Sequence, residues 1–158
     1  MKQEHLTEAL FYEVAVTDKE GREIFREGGI SHSYTELWNK VINSHARPGA
    51  NTIKDTGGTN RSIGQSSSNL NANAAIGVTA FGIRVGRGST PVDISDYALE
   101  SPVEEGAGPD HLSHQEVQFT LPVVSAPDCS FTFFRVMFNN TGSAVSGIRE
   151  IGCYVRMG

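Results

Sequence analysis

Short runs of alternating hydrophobic and polar residues punctuate the chain. In residues 10–17, Leu10, Tyr12, Val14 and Val16 fall on one face, as a half-buried strand requires. Asp18-Lys19-Glu20-Gly21 reads as a polar turn, and the run that follows brings Ile24 and Phe25, so residues 8–28 predict a β-hairpin. The period changes over residues 33–46. Tyr34, Leu37, Trp38, Val41, Ile42 and His45 make one stripe at helical spacing. Ser33 followed by Glu36 has the form of a capping box, and Pro48-Gly49 closes the segment. Trp38 on that stripe is read as core or as a contact between subunits.

The strand period returns beyond a polar stretch. Residues 55–75 are rich in Gly, Ser, Asn and Thr and cannot by themselves bury enough apolar area to offset their ordering entropy. They read as a flexible loop that is either mobile or held by another chain. Residues 76–86 predict a strand with Phe81, Ile83 and Val85 on one face. Asp93 to Leu99 reads as one helical or 3₁₀ turn, and residues 100–111 as an acidic loop, mobile in the free protein. Three strands follow. In residues 115–124, Val117, Phe119, Leu121 and Val123 face one way. Residues 130–138 are apolar on both faces, the mark of a central strand. In residues 147–157, Ile151, Cys153, Val155 and Met157 share a face. The expected fold is mainly β, an antiparallel β-sandwich or a Greek-key or jelly-roll-like barrel with one amphipathic helix. It forms a single β domain over residues 1–158, with a hairpin–helix unit at 8–49, the loop 55–75 and strands from 76 to 158.

Composition narrows the function. The 158 residues carry 13 Lys and Arg against 18 Asp and Glu, a formal charge of −5, so direct nucleic-acid binding is not expected. No apolar run has the roughly 18–20 residues of a membrane helix. The two cysteines, Cys129 and Cys153, belong to no metal-binding pattern and read as two buried free thiols. The sequence has no GxSxG elbow, and none of His5, His32, His45, His111 and His114 has a recognisable nucleophile partner. His111-x-x-His114 beside Asp110, and the acids Asp93, Asp96, Glu100, Glu104 and Glu105, are thin metal candidates that read better as exposed polar residues and a solvated acidic loop. Gly82, Gly86 and Gly88 suggest a phosphate cradle, but neither the Lys of a P-loop nor the third Gly of a dinucleotide fingerprint follows them. A turn explains them better. Arg135, inside the aromatic strand, needs a carboxylate partner if buried, and Glu150 on the following strand is a candidate for a structural pair. No catalytic residue, metal or cofactor is expected.

Three phrases of the second half carry a resemblance. Gly82-Ile83-Arg84-Val85-Gly86-Arg87-Gly88-Ser89-Thr90-Pro91-Val92, followed by Asp96-Tyr97-Ala98-Leu99-Glu100, is similar to "GIxVGtGtTpv…dyaLe". Phe134-Arg135-Val136-Met137-Phe138-Asn139-Asn140-Thr141-Gly142-Ser143 resembles "R.F.NnSG", and Ile148-Arg149-Glu150-Ile151-Gly152-Cys153-Tyr154 resembles "v.EiGly". These phrases resemble the small structural proteins of the tail, neck or capsid surface of tailed bacteriophages. Arg87 departs from the pattern, where a small or polar residue is usual. The resemblance implies a non-enzymatic virion subunit, made in the host bacterial cytoplasm, whose partners are copies of itself and other virion proteins. A homo-oligomer without nucleic-acid or membrane contact is expected. Trp38, Tyr34, Arg87, Tyr97 and Tyr154 are the candidate interface residues. The alternative is a carbohydrate- or host-receptor-binding β-sandwich that uses Tyr97, Tyr154 and the acidic loop.

Overall fold

The computed structural model describes residues 9–31, 35–142 and 145–158. Among the described residues it is mainly β with one helix, as the pattern predicts, and the strands pair as five two-stranded antiparallel ladders. The chain divides into two units, Met1–Tyr34 and Thr35–Gly158.

The first unit is the predicted hairpin. Strand β1 (Phe11–Thr17) pairs with β2 (Glu23–Ile30), with Phe11 opposite Ile30 and Val16 opposite Phe25. Asp18 fixes the turn by accepting the backbone N–H groups of Glu20 and Arg22 at 3.0 and 2.9 Å, while Gly21 takes the left-handed conformation the turn needs. None of the described residues of this unit is buried.

In the second unit, helix α1 (Glu36–Ala46) is followed by β3 (Asn51–Lys54) and β4 (Asn60–Ile63). The helix buries Val41 against Ile53 of β3 and Ile63 of β4, with Leu37, Leu70 and Met157 around them. The boundary between the two units falls before Thr35, so the hairpin and the helix of the expected 8–49 unit belong to different units. The helix starts three residues later than the stripe suggests. Thr35 holds the N-cap position without a side-chain cap, and the Glu36 N–H donates to the Ile94 carbonyl at 2.9 Å. Ser33 and Tyr34, and with them the proposed capping box, lie outside the described residues.

Residues 55–75 are not a structureless loop. Asp55 accepts the N–H groups of Gly57 and Thr59 and closes a tight β3–β4 turn. Farther on, Asn69, Ala72 and Ala74 are buried, and Asn69 bonds the Gly64 carbonyl and the Gly158 N–H. Polar side chains here satisfy the backbone that a ladder would otherwise pair.

A second core is made of Val85, Val103 and Leu112, flanked by Met137 and Val145. Strand β5 (Gly82–Gly86) is shorter than the predicted 76–86 run. It pairs with β10 (Glu150–Tyr154), with Gly86 opposite Glu150 and Gly82 opposite Tyr154. Residues 100–111 are tied in rather than loose, because Val103 is buried and Asn139 donates to the carbonyls of Gly108, Pro109 and His111. Strand β6 (Ser113–Phe119) pairs with β9 (Phe133–Phe138), and β7 (Val123–Ser125) with β8 (Asp128–Ser130).

The doubly apolar strand is not central. Strand β9 has β6 as its one ladder partner, and its outward residues Phe134, Val136 and Phe138 are exposed. The two cysteines also depart from expectation: both are free, and both are exposed.

Candidate functional site

The first and third phrases converge where β5 and β10 end. Glu150, at the start of β10, turns its carboxylate into the loop that leaves β5. Its Oε2 accepts the Gly88 N–H at 2.8 Å and the Ser101 N–H at 3.2 Å, and its Oε1 accepts the Glu100 N–H at 2.9 Å. Glu100 repeats the device and accepts the N–H groups of Ser89 and Thr90 at 2.9 and 3.0 Å. The Thr90 and Ser89 groups hold the Glu100 carboxyl below the ordinary carboxylate range.

Two glycines make this approach possible. A Cβ on Gly86 would lie 2.4 Å from Glu150 Oε2, and one on Gly88 would lie 2.5 Å from Glu150 Cδ. The glycines admit a carboxylate of the chain itself: Gly86 ends β5 rather than making a turn, Gly88 lies in the loop after it, and both serve close approach rather than a left-handed backbone. Tyr154 completes the latch by accepting the Leu99 N–H at 2.7 Å, with its ring 5.9 Å from the Arg84 guanidinium.

The second phrase supplies Arg135. Buried on the inner face of β9, it donates to four carbonyls: Gln115 at 2.7 Å, Ile83 at 3.2 Å, Ala75 at 3.3 Å and Val78 at 2.6 Å. Glu150 is not its partner, because that carboxylate is engaged by backbone amides at the far end of β10. Arg135 thereby ties the irregular residues 75–78 and strand β5 to the β6–β9 ribbon.

Beside it lies His114, which is fully buried. Its Nδ1 faces Glu105 Oε2 at 2.7 Å and the Leu112 carbonyl at 3.0 Å, which makes Nδ1 the protonated nitrogen. Nε2 is buried without a partner. Burial pushes the imidazole below its ordinary pKa and the Arg135 charge acts in the same direction, against the Glu105 hydrogen bond. Burial alone would raise the Glu105 carboxyl, but the His114 backbone N–H and ring outweigh it and leave it lowered. His114 is therefore a core residue, not the exposed loop histidine expected. Among the described residues, no three His, Cys, Asp or Glu side chains are grouped to hold a metal ion.

The candidate interface residues do not form one patch. Trp38 is half-buried on α1. Arg87 bridges loops, donating to the carbonyls of Ser146 at 3.2 Å and Asp110 at 3.1 Å. Tyr154 is half-buried in the latch, and Tyr34 lies outside the described residues. Tyr97 is exposed, with the Lys54 ammonium 5.3 Å from its ring centre. It lines an open cleft of about 390 Å³ together with Thr56, Thr90, Asp96, Glu100 and Glu150.

The surface that the sequence reading passed over is the ribbon continuing β6 and β9. Every residue from 118 to 132 is exposed, including Leu121 at 85%, Val124 at 76% and Phe131 at 62%. Thr120 and Thr132 exchange hydrogen bonds at its base, and Phe119 stacks on Phe133 at 5.9 Å. The signal was present in the sequence. Residues 119–134 contain one charge, Asp128. No protein-family model matches the chain, and neither a curated protein nor a solved structure does.

Proposed function

We propose that this chain is a structural subunit of a tailed-bacteriophage particle, built to pack against copies of itself and neighbouring virion proteins and carrying no catalytic site. One observation carries the reading. Five polar side chains of the three phage-like phrases are engaged with the chain's own backbone, while large apolar side chains stand in solvent. Glu100, Glu150, Arg87, Arg135 and Asn139 together bond nine backbone carbonyls and six backbone amides in and around the loops that flank β5, β6 and β10. They shape a rigid surface and leave little free functional chemistry. Exposed apolar ribbons of this kind are interaction surfaces.

The direct test is the composition of the intact particle. The chain is expected in purified virions at a fixed copy number, at one place in a density map. Its absence from purified particles would overturn the reading. The cleft beside Tyr97 favours one second reading, a carbohydrate- or receptor-binding module. A glycan array that gives a hit lost on Tyr97→Ala would select it over the assembly role.

A further inference from the structure

The long ribbon raises a physical problem that one occupant solves. Strands β7 and β8 and their flanks present apolar side chains on both faces, so the ribbon gains by being covered rather than by lying over its own domain. Where it joins β9, the outward row Phe134, Val136 and Phe138 is exposed as well. The far edge of β6 is closed by hydrogen bonds from the Gly77 N–H to the His114 carbonyl and from the Val117 N–H to the Ala74 carbonyl. Among the described residues, no backbone hydrogen bond closes the corresponding edge of β9.

We infer that two copies of this chain exchange these ribbons, each laying residues 121–131 across the Phe134–Val136–Phe138 row of the other. This rests on the assembly reading and gives it a contact. The area fits: large aromatic side chains bury about 150–250 Å² each. Phe119, Leu121, Val123, Val124, Phe131 and the β9 row expose roughly 800 Å² per copy over both faces of the ribbon, an upper bound on what the contact buries that matches the share one partner gives to a standard interface.

The charge fits too. A chain at −5 repels its copies, and residues 119–134 offer a contact zone with the single charge of Asp128. Reciprocity selects a second copy over another protein. Ribbon and row lie on the same chain, so one two-fold axis near residues 132–133 covers both in both copies. The same symmetry sets Cys129 of one copy opposite Val136 of the other.

Disulfide trapping tests this pairing in the full chain. The variant carries Val136→Cys with Cys153→Ser and keeps the native Cys129. Within one chain, positions 129 and 136 are seven residues apart on an extended stretch, roughly 20 Å, too far for a bridge. Mild oxidation is expected to convert most of the protein to a covalent dimer, with no dimer when Val136 is retained. No dimer, or equal dimer through Cys129 alone, overturns the exchange. A second variant, Leu121→Asp with Val124→Asp, alters two side chains that are exposed in the single chain. Its far-UV spectrum is expected to be unchanged and its self-association at least tenfold weaker; unaltered association overturns the inference. Self-association of the wild type together with no 129–136 dimer in the Val136→Cys variant refutes ribbon exchange and leaves the assembly reading standing. A chain missing from purified particles refutes that reading whatever the trapping shows.

Discussion

A single carboxylate, that of Glu150, gathers three backbone N–H groups from two segments far apart in sequence. Hydrogen bonds to a charged acceptor contribute about 1.5–3 kcal/mol each. Glu150→Gln turns an amide NH₂ toward at least one of these donors, and a loss of about 2 kcal/mol is expected, some 4–8 °C in melting temperature for a domain of this size. Thermal denaturation checks it, and an unchanged midpoint would mean that the latch contributes nothing. His114 makes a separate prediction. Its imidazole is held below the unfolded value of 6.5, so between that value and the lowered one the unfolded chain binds the extra proton. The stability it contributes is complete above pH 6.5 and falls as the solution is acidified toward the lowered pKa. Glu105 and Glu100 act at lower pH, because their stabilisation fades only below the ordinary carboxylate value of 4.5. His114→Asn keeps a donor toward Glu105 and cannot titrate, so its denaturation midpoint is expected to be flatter between pH 6.5 and 5 than that of the wild type. A parallel pH dependence in both proteins would refute this.

At the scale of elements, much of the fold could be read in the alternation of residues and part of it could not. Strands β1, β5 and β10 lie within runs of period two, β9 lies within the run apolar on both faces, β2 and β6 overlap their predicted runs and extend two residues beyond them, and α1 follows its stripe from Leu37 onward. What misled was the assumption that order requires apolar burial. Residues 55–75 and 100–111 are ordered by Asp55, Asn69, Glu105 and Asn139, whose side chains supply the hydrogen bonds that no hydrophobic pattern reports. The opposite error arose at β9. Apolar residues on both faces do not specify what covers the second face, and within the described chain nothing buries it. The latch was legible only as turn residues, because the role of Gly86 and Gly88 depends on Glu150, more than 60 residues away. Amide hydrogen exchange separates the two kinds of element. In dilute protein the amides of Val103, Leu112 and Val117 are expected to be strongly protected and those of residues 121–131 weakly so, with protection of the latter rising at high concentration. Equal protection of both at every concentration would contradict the assignment of the ribbon to an interface.

At the scale of the whole molecule, several polar side chains engage the chain's own loops while an apolar ribbon with the single charge of Asp128 is displayed, the combination on which the proposed assembly role rests. The chain's negative charge resists association except where that ribbon offers contact. Burying the exposed row and ribbon stabilises a dimer through apolar area, about 25 cal/mol per Å² before the cost of association, so assembly is expected to survive high salt. The most direct measurement is sedimentation velocity of the full chain from low to high micromolar concentration, repeated in molar salt. A monomer that gives way to dimer or larger species as concentration rises, in both buffers, is the expected result. A species with the mass of one chain at every concentration would contradict the claim that this protein works by packing against its copies.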